Sequence, residues 1–156
     1  MSHNLGIKVT PVKSPRSAVE DTDILLVITS SQTPVFQGDW LSVGTHVAAA
    51  GGAGIYVREF DESTLRRCDI LVTDDLANAR IEAGEFIRPA TTGDILWEQL
   101  RELWQVVGGV VLGRRCSSDI TLFKSLGMAL WDISAAKAIY DKAVTRGVGQ
   151  RLPSNS

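Results

Sequence analysis

The chain has 156 residues, 44% of them hydrophobic, and a formal net charge of -2. That length suits one domain with a real core rather than two large ones, and the apolar content excludes global disorder. The charge balance offers nothing to nucleic acid or to an anionic membrane surface. No apolar run approaches the length of a membrane span, and Met1 to Gly6 lacks the apolar core of a signal segment. The default expectation is a cytoplasmic protein. Cys68 and Cys116 form no CxxC, so two buried thiols are expected rather than a disulfide framework or a zinc site.

The first strand candidate is Ile7 to Val12, with Pro11 arguing for an edge or a strand end. Ser14-Pro15 opens a short helix that ends near Glu20. Ile24 to Ile28 is an unbroken apolar run, the pattern of a strand buried on both faces of a parallel sheet. A second strand is predicted over Thr45 to Ala50, leading into Gly51-Gly52-Ala53-Gly54. Asp61 or Ser63 caps a short helix through Arg67. Ile70 to Val72 is a third core strand, closed by Thr73-Asp74-Asp75, and a helix follows from Leu76 to about Gly84. Asp94 opens an amphipathic helix with Leu96, Leu100, Leu103 and Trp104 on one stripe. Ile120 to Phe123 is a further strand. The last element is a long helix carrying Leu126, Ala129, Leu130, Ile133, Ala136, Tyr140, Ala143 and Val144 at helical spacing, with Gly147 as its C-cap. A polar tail covers 151–156.

Strands alternating with helices predict an α/β fold with a parallel sheet, in which the strands near 24–28, 45–50 and 70–73 are expected to be adjacent and parallel. Thr29, Gly51 and Asp74 would then gather at the carboxyl ends of the strands, where open α/β sheets bind ligands. The glycine cluster at 51–54 fails the dinucleotide fingerprint, because the sixth position counted from Gly52 is Val57. It reads equally well as a loop at a strand end. Thr29-Ser30-Ser31 offers hydroxyl and N–H groups to a ribose or phosphate, or forms an ordinary turn. Asp74-Asp75 is a carboxylate pair for a metal or ribose, or a helix cap. His46 lies inside an apolar strand and reads as a satisfied core histidine. Two histidines and no elbow motif leave no hydrolytic triad to assemble. The four tryptophans read as packing.

Several segments resemble one family. They are "DILLVIT" at Asp23 to Thr29, "GDWLSVGTHVAAAGG" from Gly38, "REFDESTLRRCDILVTDD" from Arg58, "EAGE" at Glu82 to Glu85, and "SSDITLFKSLGMALWDISAAKAIYDKA" from Ser117. In order and spacing they resemble the carboxy-terminal half of the ornithine cyclodeaminase/μ-crystallin family, from about Gly6 to Pro153. The resemblance implies a partial Rossmann-type parallel sheet with flanking helices and a long C-terminal helix. It treats 1–156 as a single incomplete NAD(P)-binding Rossmann-like domain, with the family's C-terminal helix at about 117–147. It also implies homodimers, NAD(H) or NADP(H) as cofactor, and an amino acid or imino acid as substrate. No nucleic acid, membrane or metal enters.

Carried onto this chain, the resemblance makes Thr29, the loop Ala48-Ala49-Ala50-Gly51 and Ser125 cofactor contacts, and puts Leu126 near the substrate. Ala53 falls at the family's catalytic aspartate, so no catalytic residue is assigned, and Val57 falls where a lysine contacts the cofactor. A methyl group cannot move a proton. The family's glycine loop, its acidic ribose ligand and the basic residues that grip the substrate carboxylate belong to an amino-terminal half with no counterpart here. The expectation is a truncated chain, inactive or impaired alone, with weak cofactor binding and a tendency to homo-oligomerise or to need the missing half. The alternatives are a non-catalytic binding protein of the μ-crystallin kind, half of a split enzyme, or a gene fragment.

Overall fold

The computed structural model describes residues 6–52, 54–150 and 152, so Ala53 and most of the polar tail lie outside the described residues. The chain divides into two units, Met1–Leu126 and Gly127–Ser156.

The first unit is built on five strands: β1 (Ile24–Val27), β2 (His46–Ala49), β3 (Ile70–Thr73), β4 (Leu100–Glu102) and β5 (Thr121–Lys124). They are hydrogen-bonded in the order β1-β2-β5-β3-β4, and every pair is parallel. This is a Rossmann-type sheet with flanking helices. Val27, Ala49 and Lys124 stand level across β1, β2 and β5. The residues just beyond them therefore emerge side by side on one edge.

Helices cover one face of the sheet: α1 (Pro15–Val19), α2 (Glu62–Arg67), α3 (Leu76–Glu82) and α4 (Gly84–Thr92). Ser14 caps α1, Asp61 caps α2 and Asp75 caps α3, each accepting a backbone N–H from three residues on. Leu25, Val27, Val47, Ala49, Leu71 and Leu122 meet Val19, Leu65, Ala79 and Phe86 in one core. Burial of such side chains is the main favourable term in folding. The opposite face is closed at β3, where Ile70 and Val72 are buried. It is open at β1, where Ile24 and Leu26 are 63% and 68% exposed.

Several expectations are corrected. The strands near 45–50 and 70–73 are not neighbours, because β5 is inserted between them. The insertion places Leu122, which has no exposed surface, at the sheet's centre. Ile7 to Val12 forms no strand, and Ile7, Val9 and Val12 are exposed. The amphipathic helix from Asp94 is instead a 3-10 turn at Trp97–Gln99, then β4, then a short helix α5 (Leu103–Val107). Leu100 pairs with Leu71 and is buried, while Leu96 and Trp104 are exposed, so sheet pairing overrides the local periodicity. Helix α4 was not anticipated. Neither cysteine is a fully buried thiol: Cys116 is exposed and Cys68 is half-buried, where desolvation and then the Asp69 carboxylate push the thiol up to about 12. Trp40 and Trp97 pack against the core, but Trp104 is 59% exposed.

In the second unit, α6 (Ala129–Arg146) ends at Gly147, which takes the left-handed conformation at φ 64°. That conformation favours glycine, as the sequence pattern predicts. Lys137 and Asp141 pair along its surface at 2.6 Å. Among the described residues no helix is long and apolar enough to cross a membrane.

Candidate functional site

The carboxyl edge of β1, β2 and β5 carries the three loops singled out in the sequence. Thr29 leaves β1 and its carbonyl accepts the Gly52 N–H at 2.8 Å. Gly51 leaves β2. Ser125 leaves β5 and donates its N–H to the Ala49 carbonyl at 2.9 Å. Thr29 and Ala50 are exposed, while Ala48, Gly51, Ser125 and Leu126 are half-buried. Ala49 has no exposed surface, so its role is in the core and in that carbonyl. Thr29, Gly51 and Ser125 are thus brought together.

Two buried carboxylates set these loops. Glu59 Oε1 accepts the Thr29 N–H at 2.5 Å, and Glu59 Oε2 accepts the Gly51 N–H at 2.9 Å. Asp74, beyond β3, accepts the Leu126 N–H at 2.8 Å and the Ser125 hydroxyl at 3.1 Å through Oδ2. The expected carboxylate pair therefore divides: Asp75 caps α3, and Asp74 holds the Ser125 loop. Among the described residues no group of three or more His, Cys, Asp or Glu side chains could hold a metal ion.

The bonding decides what such an edge can receive. The N–H groups of Thr29, Gly51, Gly52, Ser125 and Leu126 all have protein acceptors. A phosphate needs free N–H donors or a cation, and the Lys124 ammonium is fully buried. What the edge offers instead is two hydroxyls: Thr29 Oγ1, which accepts the Ser31 N–H at 3.3 Å, and the Ser125 hydroxyl, which donates to Asp74 and keeps its oxygen as an acceptor. That set suits a ribose hydroxyl or a carboxamide, and it does not suit a pyrophosphate.

Glu59, Glu85 and Lys124 were missed in the sequence reading. Phe60 and Phe86, with ring centroids 6.3 Å apart, pack in the core and bring the preceding Glu59 and Glu85 together. Lys124 follows the apolar pair Leu122-Phe123 at the end of β5, which was the available signal. Its level neighbours, Ala49 and Thr73, are small. His46 is half-buried, with Nδ1 2.8 Å from the Thr121 hydroxyl, as a satisfied core residue should be. Burial, and then the nearby Arg114, hold its pKa below the usual value.

A family model described as "Ornithine cyclodeaminase/mu-crystallin family" matches residues 1–147. Alanine dehydrogenase of Archaeoglobus fulgidus is 32% identical over 88% of this chain and 42% of its own length. The Delta(1)-pyrroline-2-carboxylate reductase of Thermococcus litoralis, solved with NADH and L-proline, superposes with a TM-score of 0.90 at 40% identity. That match covers 97% of this chain and 47% of the reductase. An archaeal alanine dehydrogenase, solved as a dimer with bound NAD, gives a TM-score of 0.82 at 30% identity, again over 97% of this chain and 47% of that one. The chain spans somewhat under half the length of the relatives it matches. It belongs to the ornithine cyclodeaminase/mu-crystallin family.

Proposed function

We propose that this member of the ornithine cyclodeaminase/mu-crystallin family carries the nicotinamide side of an NAD(P)-dependent site acting on an amino acid or imino acid. The observation that supports it is the convergence of Thr29, Gly51 and Ser125 on one sheet edge, with their N–H groups engaged and the Thr29 and Ser125 hydroxyls facing the same edge. Thr29, Ala50 and Gly51 would line the ribose and carboxamide, with Ser125 beside the ring and Leu126 toward the substrate. The cofactor would supply hydride exchange with the substrate's α-carbon, and Thr29, Gly51 and Ser125 would orient its ring.

The chain as given lacks two things that such a reaction uses. No strand, glycine loop and helix fit the pyrophosphate fingerprint. Position 53 is alanine where the resemblance to the cyclodeaminases and many dehydrogenase relatives puts an aspartate, and a methyl group there could not move a proton. On this reading the chain alone binds cofactor weakly and does not turn over. The open outer side of β1, with Ile24 and Leu26 exposed, favours a second reading in which an amino-terminal half from elsewhere completes the sheet.

The test is NADH titrated into the labelled chain while amide NMR signals are followed. Saturable shifts at Thr29, Gly51 and Ser125, with a Kd of about 1 mM or weaker (roughly 4 kcal/mol of binding), are expected. Absence of any shift at several-fold higher concentration would overturn the site. Micromolar binding, or turnover of an amino acid or cyclic imine, would overturn the weakness assigned to the chain.

A further inference from the structure

Beneath the proposed cofactor edge lies a charge cluster cut off from solvent. The side chains of Lys124 and Glu59 have no exposed surface, and that of Glu85 has 1%. Lys124 Nζ lies 3.4 Å from Glu59 Oε2 and 3.5 Å from Glu85 Oε1, and it reaches the Gly52 carbonyl at 3.4 Å. Glu85 Oε1 also accepts the Glu59 N–H at 3.1 Å. Three backbone N–H groups, of Thr29, Gly51 and Glu59, supply the remaining donors to the two carboxylates.

Stability alone is a poor reason for such a cluster. A buried ion pair seldom outperforms well-packed apolar side chains of similar volume, because both charges must leave water. What an apolar cluster could not do is bond two loop amides at once. Each oxygen of Glu59 serves a different loop: Oε1 takes Thr29 at the end of β1, and Oε2 takes Gly51 at the end of β2. Lys124 comes from β5 and Glu85 from the first turn of α4. Three separate elements, the ends of β1 and β2 and strand β5, thus converge on the Glu59 carboxylate, and Glu85 joins through Lys124 and the Glu59 N–H.

We infer that Glu59 is the positioning residue of the cofactor site, fixing the Thr29 and Gly51 loops relative to each other, with Lys124 holding its carboxylate and Glu85 holding Lys124 and the Glu59 N–H. This rests on the reading that the carboxyl edge receives the nicotinamide side of a dinucleotide. Glu59 touches no ligand in this arrangement. It sets where the Thr29 hydroxyl and the Gly51 backbone stand.

Glu59→Gln keeps the shape but leaves only one acceptor oxygen, so one loop amide must face an NH2 group. Amide hydrogen exchange at Thr29 and Gly51 is compared with exchange at Val47 and Leu122 in the core, without ligand. Exchange at one or both loop amides is expected to accelerate about tenfold or more relative to the core amides, the scale of one lost charge-assisted bond. Equal acceleration at all four sites would mean a general structural role and would overturn the inference. NADH titration by amide shifts then forms the second arm, with at least about tenfold weaker binding expected from the variant. Loosened loops with unchanged NADH affinity would overturn the inference while leaving the cofactor reading intact. No NADH shifts in the unaltered chain would instead remove the cofactor reading, and with it the role assigned to Glu59. Glu59→Asp, which keeps the charge and withdraws the carboxylate by one methylene, replaces Gln if that variant does not fold. Fast exchange of the Thr29 and Gly51 amides in the unaltered chain would sink the inference with no variant at all.

Discussion

Gly51 and Glu59 fit each other only because Gly51 has no side chain: a Cβ there would overlap Glu59 Oε1 and the Thr29 carbonyl. The carboxylate occupies the space that a methyl group would take, and it bonds the Gly51 N–H from that position. Gly52, one residue on, is different. A Cβ there would meet Val57 Cγ2 at an ordinary 3.4 Å.

Gly51→Ala is therefore expected to destabilise the fold by about 1–3 kcal/mol, the usual cost of overpacking. Gly52→Ala should stay within about 0.5 kcal/mol, as for a substitution that meets no hard contact. Urea unfolding of both variants checks the pair. Equal destabilisation would show that the Glu59 carboxylate is not the obstacle.

The contrast explains what could be read from sequence. The apolar runs at Ile24, Ile70 and Ile120 declare strands directly, and Ser14, Asp61 and Gly147 declare helix ends, because these signals are local; burial on both faces is not, and β1 buries Leu25 and Val27 but leaves Ile24 and Leu26 exposed. The order of the strands is not local, and β5 enters between β2 and β3 without any sequence mark. The stripe from Leu96 to Trp104 has helical spacing, yet the pairing of Leu100 with Leu71 fixes a strand in its middle. In the candidate site, the gathering of Thr29 and Gly51 at one edge was legible from the strand ends, and Ser125 only through the family resemblance. Glu59, Glu85 and Lys124 were not, because charged residues 26 to 65 positions apart carry no pattern that pairs them.

The neutral ring of His46 should make stability depend on pH. Burial and the adjacent Arg114 hold its folded pKa below its unfolded value, so the unfolded chain binds the proton more readily. The stability contributed by the neutral ring is then fully present above the unfolded value of about 6.5 and is lost as pH falls through and below it. Arg114 donates to the Thr121 hydroxyl at 3.3 Å, which leaves that hydroxyl free to donate to His46 Nδ1. Between about pH 7.5 and pH 5.5, the melting temperature should fall more for the unaltered chain than for His46→Gln. Parallel curves would show that the ring does not titrate in this window.

The outer edge of β1 should drive self-association. Among the described residues no strand pairs with that edge, and Ile24, Leu26 and Ile28 are 63%, 68% and 70% exposed. An unpaired apolar edge is a template for another chain. Sedimentation is expected to report a dimer or larger species that dissociates in Leu26→Lys, since a lysine on an edge strand opposes pairing. A well-behaved monomer with a cooperative thermal transition would contradict this.

The last expectation concerns Asp74 and the Ser125 loop. Asp74 is 4% exposed, and its Oδ2 binds both the Ser125 hydroxyl and the Leu126 N–H, so it fixes the β5 exit as Glu59 fixes the other two. Asp74→Asn keeps the volume but leaves one acceptor oxygen for the groups that the carboxylate serves. The variant should lose about 1–3 kcal/mol of stability, the cost of a buried donor left without its acceptor. Ser125→Ala removes only the hydroxyl and leaves the Leu126 bond to Asp74, so its stability should change little. Both should weaken the NADH-dependent amide shifts by about tenfold if Ser125 lies beside the ring, since each removes or misplaces one polar contact. Thr29→Ala, two strands away, should weaken the same shifts without altering the Ser125 and Leu126 signals in the absence of ligand. NADH affinity preserved in both Ser125→Ala and Thr29→Ala would separate the cofactor from this edge. Affinity lost only in Asp74→Asn would assign the effect to the shape of the β5 exit rather than to the serine hydroxyl.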